Sequence, residues 1–265
     1  MSLAAYVQYW RINLLTMLEY KANFIMWFGF SVIYHATAVL ALWVTLHQFP
    51  SLNGWDFKES AFMYGLWMLG HSINNTMFAT VRNVPELVRE GKFDRFLVRP
   101  LDTLFQTITT PRQIFPDELI LAIVYFCVVT AYSGVRVDAV FVLYVPLVAL
   151  GGSLIDAAIA IAIAAISFWF VRIDALTWVM MSLEQDFSRY PISIYTRGVR
   201  VVIAFIFPFA FMNYFPATYL LHKVETGLQL NPSVGLLTPV VGAIWFTAAY
   251  LLWRVGINKY QGTGS

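Results

Sequence analysis

An all-α polytopic membrane protein with six transmembrane helices is the fold class that this sequence predicts, and three observations predict it. Hydrophobic residues make up 59% of the 265 and charged residues only 12%, about half the share of a soluble domain. The apolar residues collect into runs long enough to cross a bilayer, about 20 residues each. Basic residues fall almost entirely on alternate connections between those runs.

The runs are 22–46, 61–81, 119–135, 139–171, 201–221 and 233–253. The third is the shortest. The fourth is too long for one perpendicular helix, and Pro146, Gly151 and Gly152 within it predict a tilted or broken one. Residues 2–19 place Leu3, Tyr6, Val7, Trp10, Leu14, Met17 and Leu18 on one helical face, which predicts an amphipathic helix lying at the membrane interface. Residues 172–200 read as a second inner-side stretch, helical up to Arg189 and ended by Pro191.

With the N-terminus inside, all of the 17 Lys and Arg except Lys58, Arg136 and Lys223 fall on the inner side. This puts both termini and residues 82–117 in the cytoplasm, and 47–58 and 222–232 outside. The first run is too long for a cleaved signal and is expected to remain as a span. Cys127 is the one cysteine, so no disulfide or thiolate metal site forms within the chain. A net charge of +2 without a basic block gives no reason to expect nucleic acid as a partner.

The densest polar segment is 82–102. Asn83 and Glu86 have the spacing of a capping box, Pro85 suits a first turn, and Gly91 suits a stop. A short helix over 83–91 is expected, showing Glu86, Arg89 and Glu90 to water. The competing reading is a solvated loop, with Arg95 and Arg99 as lipid-headgroup anchors. In the second run His71, Asn74 and Asn75 share one face. They line a path for a solute, or they join helices by hydrogen bonds. Asp156 is costly at bilayer depth, by about 2.5–3.5 kcal/mol. It is read as the only acid well inside a run. The tryptophans are read as interfacial belts, Trp55 near the outer loop and Trp253 near the inner face among them.

No phosphate loop of the GxxxxGK[ST] kind, no HExxH and no GxSxG occurs in the sequence. The chain is therefore read as a non-enzyme, with spans but no visible energy source. A partner that supplies the energy fits this pattern. A secondary transporter or channel, and a non-transporting scaffold, are the alternatives.

Three local patterns carry a family resemblance. They are Gly91 to Pro100 with Asp94, Leu97, Arg99 and Pro100 in place; Arg189-Tyr190-Pro191-Ile192 followed by Ile194-Tyr195; and Pro208-Phe209-Ala210-Phe211 with Asn213-Tyr214 and Pro216-Ala217. With the order of elements, they resemble the permease subunit of a bacterial type-2 ATP-binding-cassette exporter, of the six-span kind with a separately encoded ATPase. The resemblance implies that residues 2–19 are a connecting helix and 83–91 a coupling helix. Glu86, Leu87, Arg89, Gly91, Asp94, Arg95, Arg99 and Pro100 would then meet the nucleotide-binding subunit. It implies two permeases, identical or related, with two ATPases that hold ATP and Mg, so that this chain needs no cofactor. It places the chain in the bacterial cytoplasmic (inner) membrane, exporting a drug, antibiotic, lipid or glycan. His71, Asn74, Asn75 and Asp156 would lie on the substrate path. Residues 216–230 would form a re-entrant outer segment, with its bend at Asn213, Tyr214 and Pro216.

Overall fold

The computed structural model describes residues 21–49, 51–109, 116–170 and 172–260. The predicted interfacial helix 2–19 lies outside them. Among the described residues every regular element is helical. The helices are α1 (Lys21–Gln48), α2 (Phe57–Met77), α3 (Val84–Arg89), α4 (Asp94–Leu97), α5 (Thr103–Ile108), α6 (Asp117–Ser133), α7 (Ala139–Ile166), α8 (Asp174–Arg189), α9 (Arg197–Val201), α10 (Tyr214–Leu220) and α11 (Thr238–Lys259).

Among the described residues, three stretches are long and apolar enough to cross a bilayer: Lys21–Gln48, Ala139–Ile166 and Pro232–Lys259. A fourth crossing is added only if Arg197–Ile206 and Phe209–Leu220, which meet at 73°, count as one span. Of the other expected spans, α6 has only 17 residues. Helix α2 carries Lys58, Glu59, His71, Asn74 and Asn75 and is too polar on average. Large side chains on the outside of α1 and α7, such as Phe30, Ile33, Leu143 and Leu147, are exposed. That is the inverse of a soluble surface and suits a lipid environment.

Helix α2 is the axis of the bundle. It packs against α6 and α7, and α7 packs along α11. Asp56 and Glu59 close a capping box at its start, a cap that the run boundaries did not reveal. The fourth run is not broken: α7 is one continuous helix of 28 residues with Pro146 inside it, so its excess length calls for tilt. Its glycines serve packing. A Cβ on Gly242 would stand 2.5 Å from the Gly151 carbonyl oxygen, so α7 and α11 cross backbone to backbone. Trp55 and Trp253 are fully buried and form no interfacial belt.

Helix α8 runs along α2 in the opposite sense. Its first residue, Asp174, is bonded by Arg89, just beyond the C-terminal end of α2. Past its other end, the Ser193 carbonyl accepts from Asn53, just before the N-terminal end of α2. At about 1.5 Å per residue, the 16 residues of α8 cover about 24 Å of that distance.

The course of α8 also fixes the side from which residues 201–221 start. Arg200 donates to the carbonyls of Ser193, Tyr195 and Gly227. Lys223 donates to Gly54 and Glu59. Both ends of 201–221 therefore sit at the same end of α2, and the segment dips in and returns. The expected crossing there is corrected, as is the placement of Arg200 on the face opposite residues 222–232. The sequence misled because α8 is amphipathic and its apolar share is low, while 201–221 is apolar without being a through-helix.

Candidate functional site

Two constellations hold the residues singled out from the sequence. The first is a handle built on α3. The turn Ala79–Asn83 runs straight into it, so Asn83 already has helical dihedrals and its side chain caps nothing. The expected Asn83–Glu86 capping box is therefore absent, because a cap needs an extended residue at that point. The stop is as the glycine requires. Gly91 has φ 66°, the Lys92 N–H donates to the Leu87 carbonyl (2.8 Å), and the Gly91 N–H donates to Val88 (3.1 Å). This is a Schellman motif.

Apolar packing does the rest. Val84, Val88, Phe93 and Phe96 are buried with Ile161, Ala165, Phe168 and Trp253, at the ends of α7 and α11. The Phe93 ring lies 5.0 Å from Phe168 and 6.0 Å from Trp253. The opposite face is open: Glu86, Arg89, Asp94, Arg95, Arg99 and Pro100 are exposed, and Leu87 is half-buried. Arg89 reaches Asp174 at 3.3 Å, and Arg95 lies over the Phe96 ring at 5.1 Å. The Lys92 ammonium, 2.7 Å from Glu90, bonds its carboxyl and holds it below the usual carboxylate range.

The second constellation is a buried polar cluster between α2, α6, α7 and α8. The His71 Nδ1 lies 2.7 Å from Asp156 Oδ2 and 3.1 Å from Glu184 Oε1. Arg82 donates to Asn75 Oδ1 (2.7 Å) and to Asp156 Oδ1 (3.3 Å). Asn75 Nδ2 donates to Glu118 Oε2 at 2.5 Å and faces His71 Nε2 at 3.2 Å. Trp67 Nε1 donates to Glu184 (3.2 Å), and the Trp67 ring stacks on His71 at 4.7 Å. Beyond Glu118, His35 lies 3.2 Å from that carboxylate and 2.8 Å from the Tyr64 hydroxyl. So His71, Asn75 and Asp156 do converge. Asn74 is buried beside Asp156, with its side-chain amide turned to that carboxylate. A cavity of about 30 Å³ joins the cluster to the handle, reaching from Asp156 and Glu184 past Arg82 to Pro85.

Arg82, Glu118 and Glu184 are site residues that the sequence did not single out. Asp156 is not the lone deep acid; it shares its site with two more. Glu184 and Ser188 are one turn apart and both buried, and that i, i+4 pair on an otherwise apolar-faced helix was the available signal.

The outer residues form a separate group. The chain bends at Phe207–Pro208, between the two arms of the bent pair, and not at Asn213 to Pro216. The bent pair spans 197–220, whereas the expected re-entrant segment spanned 216–230. Asn213 accepts from the Tyr214 N–H and donates to Ser188 (2.7 Å). The Tyr214 hydroxyl donates to buried Glu225 (3.0 Å), which also accepts from the N–H groups of Gly227, Leu228 and Leu230. Pro216 is buried within α10.

An apolar helical bundle with an exposed charged handle is the layout of a membrane protein with a face turned to water. A family description, ABC-2 family transporter protein, matches residues 32–264, and the chain belongs to that family. It is thus a membrane component of an ATP-binding-cassette transporter, and not itself the catalytic part. No curated protein and no solved structure matches the chain.

Proposed function

We propose that this chain is the permease of an exporter driven by separate nucleotide-binding subunits, which hold ATP and Mg and dock on the handle. One observation carries the reading. The α3 handle is rigid on its inner face, locked to α7 and α11, and bare and charged on its outer face. A force applied to Glu86, Arg89 or Arg95 passes directly into two of the longest helices. Two permeases, copies or relatives, would enclose the path, in the bacterial cytoplasmic membrane with both termini inside. Six crossings are α1, α2, α6, α7, α8 and α11, with 197–220 re-entrant from outside. Most of the 17 basic residues stay inside in this arrangement. His71, Asn74, Asn75 and Asp156 sit where the path would run, with a drug, antibiotic, lipid or glycan as its load.

The test is reconstitution in vesicles with the ATPase that copurifies with the chain. Substrate-stimulated ATP hydrolysis and ATP-dependent uptake into inverted vesicles are expected. Failure of any nucleotide-binding subunit to copurify, with transport intact, would refute the reading.

A second reading draws on the buried cluster. Ionisable groups at membrane depth are the usual parts of ion-coupled carriers, and three carboxylates with two histidines are more than the sequence suggested. It requires uptake driven by a pH gradient with no nucleotide present.

A further inference from the structure

We propose that His71, Asp156 and Glu184 form a binding site for a divalent transition-metal ion of the Zn²⁺ class. One ligand atom from each of the three buried side chains lies within 4.8 Å of the others. The close pairs, 2.7 and 3.1 Å from the imidazole nitrogen, are near the edge lengths of a coordination polyhedron with metal–ligand bonds of about 2.0–2.2 Å.

Charge points the same way. Three carboxylates, Asp156, Glu184 and Glu118, face one guanidinium, that of Arg82, among the groups bonded to them. With neutral imidazoles two negative charges are left over in a buried site, and buried charge demands compensation. A divalent ion cancels them.

The shell beyond the ligands is suited to the task. Asp156 would bind through Oδ2, leaving Oδ1 to Arg82. Glu184 is fixed by the Trp67 indole. His71 turns its Nε2 towards Glu118 Oε1, 3.9 Å away. That order of carboxylate, imidazole and metal is how a ligating histidine is usually held. In the metal-free chain the Nδ1–H donates to Asp156. On binding, the proton moves to Nε2 and faces Glu118, and the Asn75 amide turns to make room.

One further observation points to a ligand. The cavity of about 30 Å³ opens on Asp156 and Glu184, room for about two waters to complete the coordination. The nitrogen donor favours the Zn²⁺ class over Ca²⁺, which takes 6–8 oxygens. The ion would tie α2, α7 and α8 together, whatever the path carries.

The experiment uses the full chain in detergent, with Cys127→Ser to remove the exposed thiol and no polyhistidine tag. After EDTA treatment, Zn²⁺ is titrated against a chromophoric chelator and counted by elemental analysis. One Zn²⁺ per chain is expected, with a raised Tm. The isosteric variants Glu184→Gln and Asp156→Asn should each bind at least tenfold more weakly. Both keep side-chain shape, and either one suffices if the other fails to fold. No binding by the parent, unchanged binding by the folded variants, or an equal response to Ca²⁺ would each overturn the site. No ATPase and no substrate enter the assay, so its failure leaves the permease reading untouched.

Discussion

The handle and the buried cluster lie at the two ends of one small cavity and are held together in opposite ways. The handle is anchored by carbon: Val84, Val88, Phe93 and Phe96 fill a socket, and its charges stand in water. The cluster is anchored by polar contacts: His71, Arg82, Asp156 and Glu184 are hydrogen-bonded to each other. A charge on the handle is free to engage another protein. A charge in the cluster is committed, because removing one partner leaves the next one buried and unpaired.

The largest effect that would break this comparison is in the cluster. Asp156→Ala takes one partner each from Arg82 and His71 and is expected to destabilise the chain by at most about 3–5 kcal/mol, read as a fall in Tm of the detergent-purified protein. A Tm near that of the parent would mean that water already solvates the site.

Next is Gly91→Val. The φ of 66° at this position costs a residue with a Cβ about 1–2 kcal/mol, and a β-branched one is at the upper end. The variant should still insert, melt a few degrees lower, and bind the ATPase less well in copurification.

Glu86→Lys sharpens the comparison from the other side. Glu86 is exposed and takes part in no capping box, so stability should change by no more than about 0.5 kcal/mol. Coupling should suffer instead, with ATP hydrolysis in vesicles no longer stimulated by substrate. Unchanged coupling in this variant would reduce the handle to a solvated surface.

The smallest effect is Lys92→Ala. Glu90 has a depressed pKa through its bond to Lys92. The pair's contribution is therefore present at neutral pH and is lost as pH falls through the folded-state pKa. Both groups are in water, and such pairs are worth little. Any small difference in Tm between variant and parent at pH 7 should vanish on acidification.

Much of the handle is legible in the sequence. Gly91 as a stop and Glu86, Arg89 and Glu90 as its wet face follow from local rules, which need only neighbours along the chain. The cap at Asn83 fails because the preceding turn Ala79–Asn83 is itself helical, and no local rule sees that. The cluster is half legible. His71 and Asn75 are four residues apart on one helix, but Glu184 is 113 positions from His71 and Glu118 is 43 from Asn75. The polar sequence of α8 placed it in water, and only its packing on α2 put Glu184 beside Trp67 and His71.

The sequence by itself determined that this is a helical membrane protein and which short segment meets water. Composition, hydrophobic run length and glycine or proline stops act over a few residues, so they can be read along the chain. Only the tertiary structure decided that residues 201–221 turn back, that α8 runs along α2, and that three acids gather around two histidines and one arginine. Those outcomes depend on which helix faces which. That choice is made by close backbone contacts such as Gly151 against Gly242, and by the cost of leaving any buried charge without a partner.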